Sequence, residues 1–473
     1  MVDIRIDGYS VDMTPGTRLT LERFNPMLDF SAVQGSRVYG FTLPDTPLNR
    51  RILGFVNQAQ VPYRNRKFYC EKYVNTQLIE RGYVKIQDAP SGSYNLYFTQ
   101  NLGEIFGDLQ NVLLPDIDFG SVAAPAAPVL DVDHLTAPFA FPQVENPGFY
   151  GNNGSVPGFN NAMNRVDVVS GVMDEKARVP MVFLPWLFQQ FGEMTGWQFD
   201  GGFLEDPDIL RLLFFNLYSL DELSTIQYQN HLPELSFPQL LIALRQKFNL
   251  YMDFDVRRRL CTLDYSDDIL KAPTMLDWSA KAEPTHTKLP ELQNRLELSY
   301  AIDGNDALMK PIPADFDKYT TAETAQTAGG SLLPIQSRFS TLQTNPTSGL
   351  AMTSQPGISV YNKDSAARGM PRLLFWKGIT DGRPVATNEI NGRRLVWNGA
   401  GNLVDYHWRA FERFKANTFL IRKILYLTPA DLATFRFRNK VHIRGVNYII
   451  GSMKAVLGAD ENIIPAEVDL WKV

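Results

Sequence analysis

The residues that could do chemistry are few in this chain and widely spaced. Its five histidines are His134, His231, His286, His407 and His442, and no two lie within ten residues of each other. The helix-borne pair of zinc-binding histidines is therefore absent. Two cysteines, Cys70 and Cys261, cannot build a zinc knuckle or an iron–sulfur site, and both sit in segments that read as strand interiors. Buried free thiols are expected there, not a disulfide. No Gly-x-Ser-x-Gly elbow, Walker loop or Gly-x-Gly-x-x-Gly turn occurs, so the best-known serine-hydrolase and phosphate-cradling motifs are missing. The nearest carboxylate pairs are Asp116 with Asp118, Glu205 with Asp206, and Asp267 with Asp268. A glycosidase needs two such groups about 5–10 Å apart across a sugar-sized cleft, which closeness in sequence does not supply. Asp206 reads as a helix cap and Asp267-Asp268 as a turn. No residue is assigned a catalytic, cofactor or metal role, and the chain is read as a non-enzyme that needs no cofactor.

The elements around these residues are mostly strands. Ile4 and Ile6 alternate with polar neighbours before the Asp7-Gly8 turn, and Leu19 and Leu21 alternate with Thr20 and Glu22. Val84 and Ile86 alternate with Tyr83, Lys85 and Gln87, then Pro90 to Ser93 turns the chain into Tyr94–Thr99. A short helical piece is expected from Asn101, with Leu102, Ile105, Phe106 and Leu109 on one face. Residues 115–165 hold seven prolines and isolated aromatics such as Phe139, Phe141, Phe149 and Tyr150. That composition suggests an extended arm or crossover packing on a neighbouring subunit.

Helices concentrate in residues 180–250. Leu184, Leu187, Phe188 and Phe191 fall on one helical face, and Gly196 stops that helix. Asp206-Pro207 is expected to open a second helix through Ile209, Leu210, Leu212 and Leu213. Ser236 precedes a third, striped by Leu240, Leu241, Leu244 and Phe248, which runs into a hairpin of Leu250–Asp255 and Leu260–Tyr265. Residues 320–370, rich in Thr, Ser, Ala, Gln and Gly, read as a long exposed loop. Strands return with Leu420–Leu427, a single Thr428-Pro429-Ala430-Asp431 helical turn, Lys440–Arg444 paired across Gly445 with Tyr448–Ile450, and Ala466–Val473.

The fold class is therefore mainly β with a helical insertion (α+β), with β-barrel-like domains of one kind at both ends of the chain. The expected division is 1–114 as an N-terminal barrel-like domain and 115–179 as the Pro/Gly-rich arm. Residues 180–270 form the helical insertion with its hairpin, and 271–473 the C-terminal β part. A length of 473 residues suits roughly three domains. With 46 basic against 51 acidic residues the net charge is −5, so no basic face for gripping phosphates is expected. The short basic clusters, Arg50-Arg51, Arg64–Lys67, Arg257–Arg259 and Arg393-Arg394, read as solvated turns. The start lacks a signal-peptide pattern and nothing approaches 18 consecutive apolar residues, so folding in cytoplasm without membrane insertion is expected.

Leu19-Thr20-Leu21-Glu22-Arg23-Phe24-Asn25-Pro26 through Gly35, then Phe41-Thr42-Leu43-Pro44 and Asn49-Arg50-Arg51-Ile52-Leu53-Gly54-Phe55, resembles the opening of tail and baseplate proteins of phages and prophages. Trp186-Leu187-Phe188 to Gly196-Trp197, Phe237–Phe248 with its hairpin, and the ending around Leu427–Asp431, Ile443–Tyr448 and Glu467–Trp471 are similar in style. The resemblance implies the trimeric central hub of the tail, with two tube-like β-barrel domains per subunit, so that three subunits present six barrels to a hexameric tail tube. Its implied partners are its own copies, the tail tube protein, the distal tail protein, the tape measure and tip, spike or fibre proteins, with DNA only in passage. The implied place is the virion tail tip, assembled in the host cytoplasm. Two other readings stay open: a hexameric distal tail ring or fibre-attachment adaptor, and a tail-associated cell-wall or polysaccharide hydrolase.

Overall fold

The computed structural model describes residues 2–31, 39–62, 66–99, 107–151, 156–255, 258–362, 368–457 and 462–473. The chain is mainly β with a helical insertion and includes a half-barrel sheet. The helix expected from Asn101 lies, through residue 106, outside the described residues.

Alternation fixes the N-terminal sheet. The strands are β1 (Val2–Ile6), β2 (Leu19–Phe24), β3 (Tyr39–Pro44), β4 (Phe68–Val74), β5 (Gln77–Asp88) and β6 (Ser93–Thr99), with the short helix α1 (Pro47–Leu53) after β3. All but β2 join one antiparallel sheet, in the order β1-β4-β5-β6-β3, with Tyr9–Ser10 flanking β1. Strand β4 alternates buried and half-exposed along its whole length, so Phe68, Cys70 and Val74 face the core.

In the insertion, α2 (Leu184–Thr195) buries Leu184, Leu187, Phe188 and Phe191 and ends at Gly196, whose φ of 73° suits a residue without a Cβ. The second helix does not form. Ile209–Arg211 makes one 3-10 turn, and β7 (Leu212–Phe215) follows as a strand buried at every position. Four consecutive large apolar residues have no polar face to turn to solvent. They pair instead with the central strand Arg372–Thr380, Leu212 opposite Phe375. Helix α3 (Phe237–Phe248) opens with a capping box between Ser236 and Gln239. It leads into the hairpin of β8 (Leu250–Asp255) and β9 (Leu260–Tyr265), then α4 (Ser266–Lys271).

Two expectations for the middle of the chain are corrected. Residues 115–165 are not an extended arm: Phe141, Phe149 and Tyr150 are buried in the chain itself, packed with Phe183, Leu374 and Trp376 or with Ile226. Residues 320–370 are not one exposed loop either. Leu332–Ser337 is a strand, and Thr341, Leu342, Thr353 and Gln355 are buried. Both stretches are tied by two-residue bridges such as Val144–Glu145 with Ala162–Met163, too short to write a period into the sequence. Arg393 departs from the solvated-turn reading as well, being 6% exposed.

At the end of the chain lie β10 (Thr287–Pro290), α5 (Arg409–Asn417), β11 (Phe419–Leu427), α6 (Pro429–Thr434), β12 (Val441–Ile443), β13 (Val446–Leu457) and β14 (Ile464–Lys472). They form a sheet in the order β12-β13-β14-β11-β10, with Leu276–Asp277 beyond β12. Strand β2 leaves the N-terminal sheet and pairs with the second half of β13, Leu19 opposite Leu457 and Phe24 opposite Ser452. The two ends of the chain thus share one hydrophobic core, from Ile4 and Val84 to Ile450 and Leu470. The apolar run Tyr448–Ile450 serves two cores at once: Ile450 faces this one, and Ile449 faces the helical insertion. Among the described residues no helix is long and apolar enough to cross a membrane.

Candidate interaction surface: a unit built twice

The carboxylates with catalytic potential are given separate structural tasks. Asp116 and Asp118 are exposed, the latter accepting the Gly120 N–H at 2.8 Å within its own turn. Asp267, 2% exposed, accepts the Ala410 and Phe411 N–H groups at 2.9 and 3.0 Å and so caps helix α5 from outside it. Asp268 and Glu205 are exposed.

Asp206 belongs to a cluster that sequence spacing does not reveal. Its carboxylate accepts the Tyr265 hydroxyl at 2.7 Å and an Arg393 N–H at 2.8 Å, while the same guanidinium donates to His407 Nε2 at 3.0 Å. Burial works to raise the Asp206 pKa, but the Arg393 charge and hydrogen bonds overcome it and hold the group below its ordinary value. Burial first, and Arg393 next, push His407 well below the usual imidazole range, so it is a neutral acceptor. The four side chains pin the turn after Glu205 to the segment around Arg393, 187 residues away. A polar cavity of about 280 Å³ near Phe316, Lys377 and Arg394 is lined by none of them. Among the described residues, no three His, Cys, Asp or Glu side chains are placed to hold a metal ion. Cys70 and Cys261 are free and buried, as expected.

A larger regularity appears in the two end sheets. The N-terminal one runs β3, α1, β4, β5, β6 and places its strands in the order β4-β5-β6-β3; the C-terminal one runs β11, α6, β12, β13, β14 and places them in the order β12-β13-β14-β11. Every pairing within both sets is antiparallel. The local devices match too. Thr46 caps α1 ahead of Pro47 and accepts the Asn49 N–H at 3.2 Å; Thr428 caps α6 ahead of Pro429 and accepts the Asp431 N–H at 3.2 Å. The hairpin β4–β5 turns through Asn75 and Thr76 at φ 47° and 68°, and β12–β13 through Arg444 and Gly445 at φ 48° and 88°, the geometry that matches the twist of a two-residue hairpin. One unit of strand, Thr-Pro helix, hairpin and returning strand is therefore built twice.

The two units are laced by residues 19–26, the opening stretch of the sequence resemblance. Arg23 donates to the Leu432 carbonyl at 2.8 Å and to that of Ile79, and so ties α6 to β5. Asn25, 2% exposed, donates to the Ile450 carbonyl at 2.9 Å and accepts the Met27 N–H at 2.9 Å. At the hairpin tip, Asn75 donates to the Asn462 side chain at 3.0 Å.

No family model matches the chain, and no relative is found among curated proteins. Among solved structures, it is similar to the 43 kDa tail protein of prophage MuSo2 from Shewanella oneidensis, at 9% identity and a TM-score of 0.41, over 99% of this chain and 97% of that one. A tail protein from Neisseria meningitidis MC58 is similar at 9% identity and a TM-score of 0.38, over 99% and 95% of the two chains. The prophage tail protein gp18 from Listeria monocytogenes EGD-e is similar at 8% identity and a TM-score of 0.38, over 99% and 94%.

Proposed function

We propose that this chain is a structural protein of a phage or prophage tail, a hub that joins a sixfold tail tube to a threefold tip around a passage for DNA. The observation that carries the reading is the unit built twice. A chain with two like units contributes two positions to a ring, so three copies contribute six, and a threefold body gains a sixfold face. The sequence resemblance of residues 19–55 to tail and baseplate proteins agrees with it. In this reading the working parts are surfaces, and no bond is broken. The partners are two further copies of the chain, the tail tube and distal tail proteins, the tape measure, and tip, spike or fibre proteins, all at the virion tail tip.

Light scattering of the purified protein, with images of its particles averaged along their axis, tests this. The expected result is a mass three times the 53.5 kDa of the chain and a ring with threefold averaging and six similar lobes. A protein that stays single at the highest attainable concentration would overturn it, and a closed ring of six copies would replace it with the distal-ring reading.

A further inference from the structure

The two units differ in one respect that points outward. In the C-terminal unit the outer edge of β11 is covered by the chain itself: Thr287 pairs opposite Arg422, and the Glu283 N–H donates to the Ile424 carbonyl at 3.1 Å. Matching Thr46 to Thr428 makes Thr42 the equivalent of Ile424 and Gly40 the equivalent of Arg422. The Asp45 N–H donates inward to the Gly92 carbonyl at 3.0 Å. Because such bonds alternate along an antiparallel strand, the backbone groups of Gly40 and Thr42 face away from β6. Both residues are exposed, and among the described residues no strand lies along this edge.

We propose that the open edge of β3 is completed by a strand from a second copy of this chain, as residues 283–287 complete the equivalent edge of β11. The occupant follows from the junction already present. The chain joins its two units on the β4–β5 side of the N-terminal sheet, through Asn75 with Asn462 and α6 against β5. Strand β3 ends that sheet on the other side. Continuing the row of units past β3 requires a unit that this chain has already used, so the next one comes from another copy. An unpaired edge of this kind is also a template for strand addition. The proposal rests on the ring reading above and names one contact within it.

The test is Thr42→Pro in the full chain, with hydrogen exchange on the wild type. Proline at position 42 removes an outward N–H that the strand's own sheet does not use. The expected result is an oligomer for the wild type and a single chain with wild-type circular dichroism for T42P. The Gly40 and Thr42 amides of the wild-type oligomer should exchange about tenfold or more slowly than those of dissociated protein. Thr42→Lys, gentler on the strand, should weaken assembly in the same direction. A T42P or T42K protein that assembles like the wild type, or edge amides that exchange freely in the oligomer, would overturn this contact and leave the ring reading standing. Protection that appears only when tail tube protein is added would also overturn it. A wild type that never assembles sinks both.

Discussion

Asp306 and Arg372 face each other at 3.3 Å with 0% and 1% of their side chains exposed, and Asp303 approaches the same guanidinium at 3.1 Å. The carboxylate of Asp306 also accepts the Ser354 N–H at 2.9 Å and the Thr353 hydroxyl at 2.7 Å. Burial lowers the Arg372 pKa while the two aspartates oppose that drop. Replacing Arg372 with Met would strand two carboxylates in the interior, a loss of about 3–5 kcal/mol. A clear fall in the urea midpoint of the R372M protein is the expected outcome. An unchanged midpoint would mean that the triad contributes nothing to stability.

Lys247, on α3, gives a pH dependence. Its ammonium donates to the Phe339 and Leu395 carbonyls at 3.1 and 3.2 Å and lies 4.9 Å from the Tyr300 ring, and burial pulls its pKa from 10.5 to about 7. Between those two values the unfolded chain holds a proton that the folded one sheds. Stability from this group therefore rises with pH from about 7 toward 10.5, and levels off at its lower value below 7, where both states hold the proton. Denaturation midpoints from pH 7 to pH 10 should show that slope, and Lys247→Met should flatten it. A midpoint that falls smoothly across the range in both proteins would refute the assignment.

Much of the fold was legible where a period of two met a turn residue. The strands around Ile4, Leu19, Val84, Leu425 and Ile450 formed as read, and so did α2 with its stop at Gly196 and α3 after Ser236. The failures share one cause, which is that long-range pairing leaves no local period. Leu212 and Leu213 looked helical in company with Ile209 and Leu210 because a short apolar run satisfies either geometry, and only the strand at Arg372–Thr380 decides between them. The aromatics of residues 139–150 looked like an arm because their partners lie outside any local window, from Phe183 and Ile226 to Trp376, the last more than two hundred residues on. The doubled unit was expected only in outline. Its two copies share little sequence beyond a Thr-Pro step, and the match lies in strand order.

The cysteines offer a direct check on packing. Burial pushes the Cys70 thiol up to about 12 and raises Cys261 well above the ordinary range. The thiolate is the reactive form, so neither should react with iodoacetamide in folded protein at pH 8. Both should be alkylated in denaturant, giving a mass gain of two adducts. Rapid labelling of the native protein at either position would contradict the burial of β4 or β9.

The two threonine caps make the doubling quantitative. Thr46→Ala removes the bond to the Asn49 N–H, and Thr428→Ala removes the bond to the Asp431 N–H; a lost cap of this kind costs about 1 kcal/mol. Both hydroxyls also donate to a carboxylate, Thr46 to Asp12 at 2.6 Å and Thr428 to Asp431 at 2.7 Å; the second should cost more, because the Asp431 carboxylate is in turn held by Lys281 at 2.6 Å. Since α1 and α6 both pack on the core the two ends share, the losses should appear in one unfolding transition, and T46A/T428A should lower its midpoint by close to the sum. Separate transitions for the two variants would show that the units unfold independently. The lacing by β2, Arg23 and Asn25 would then be weaker than its burial and hydrogen bonds imply.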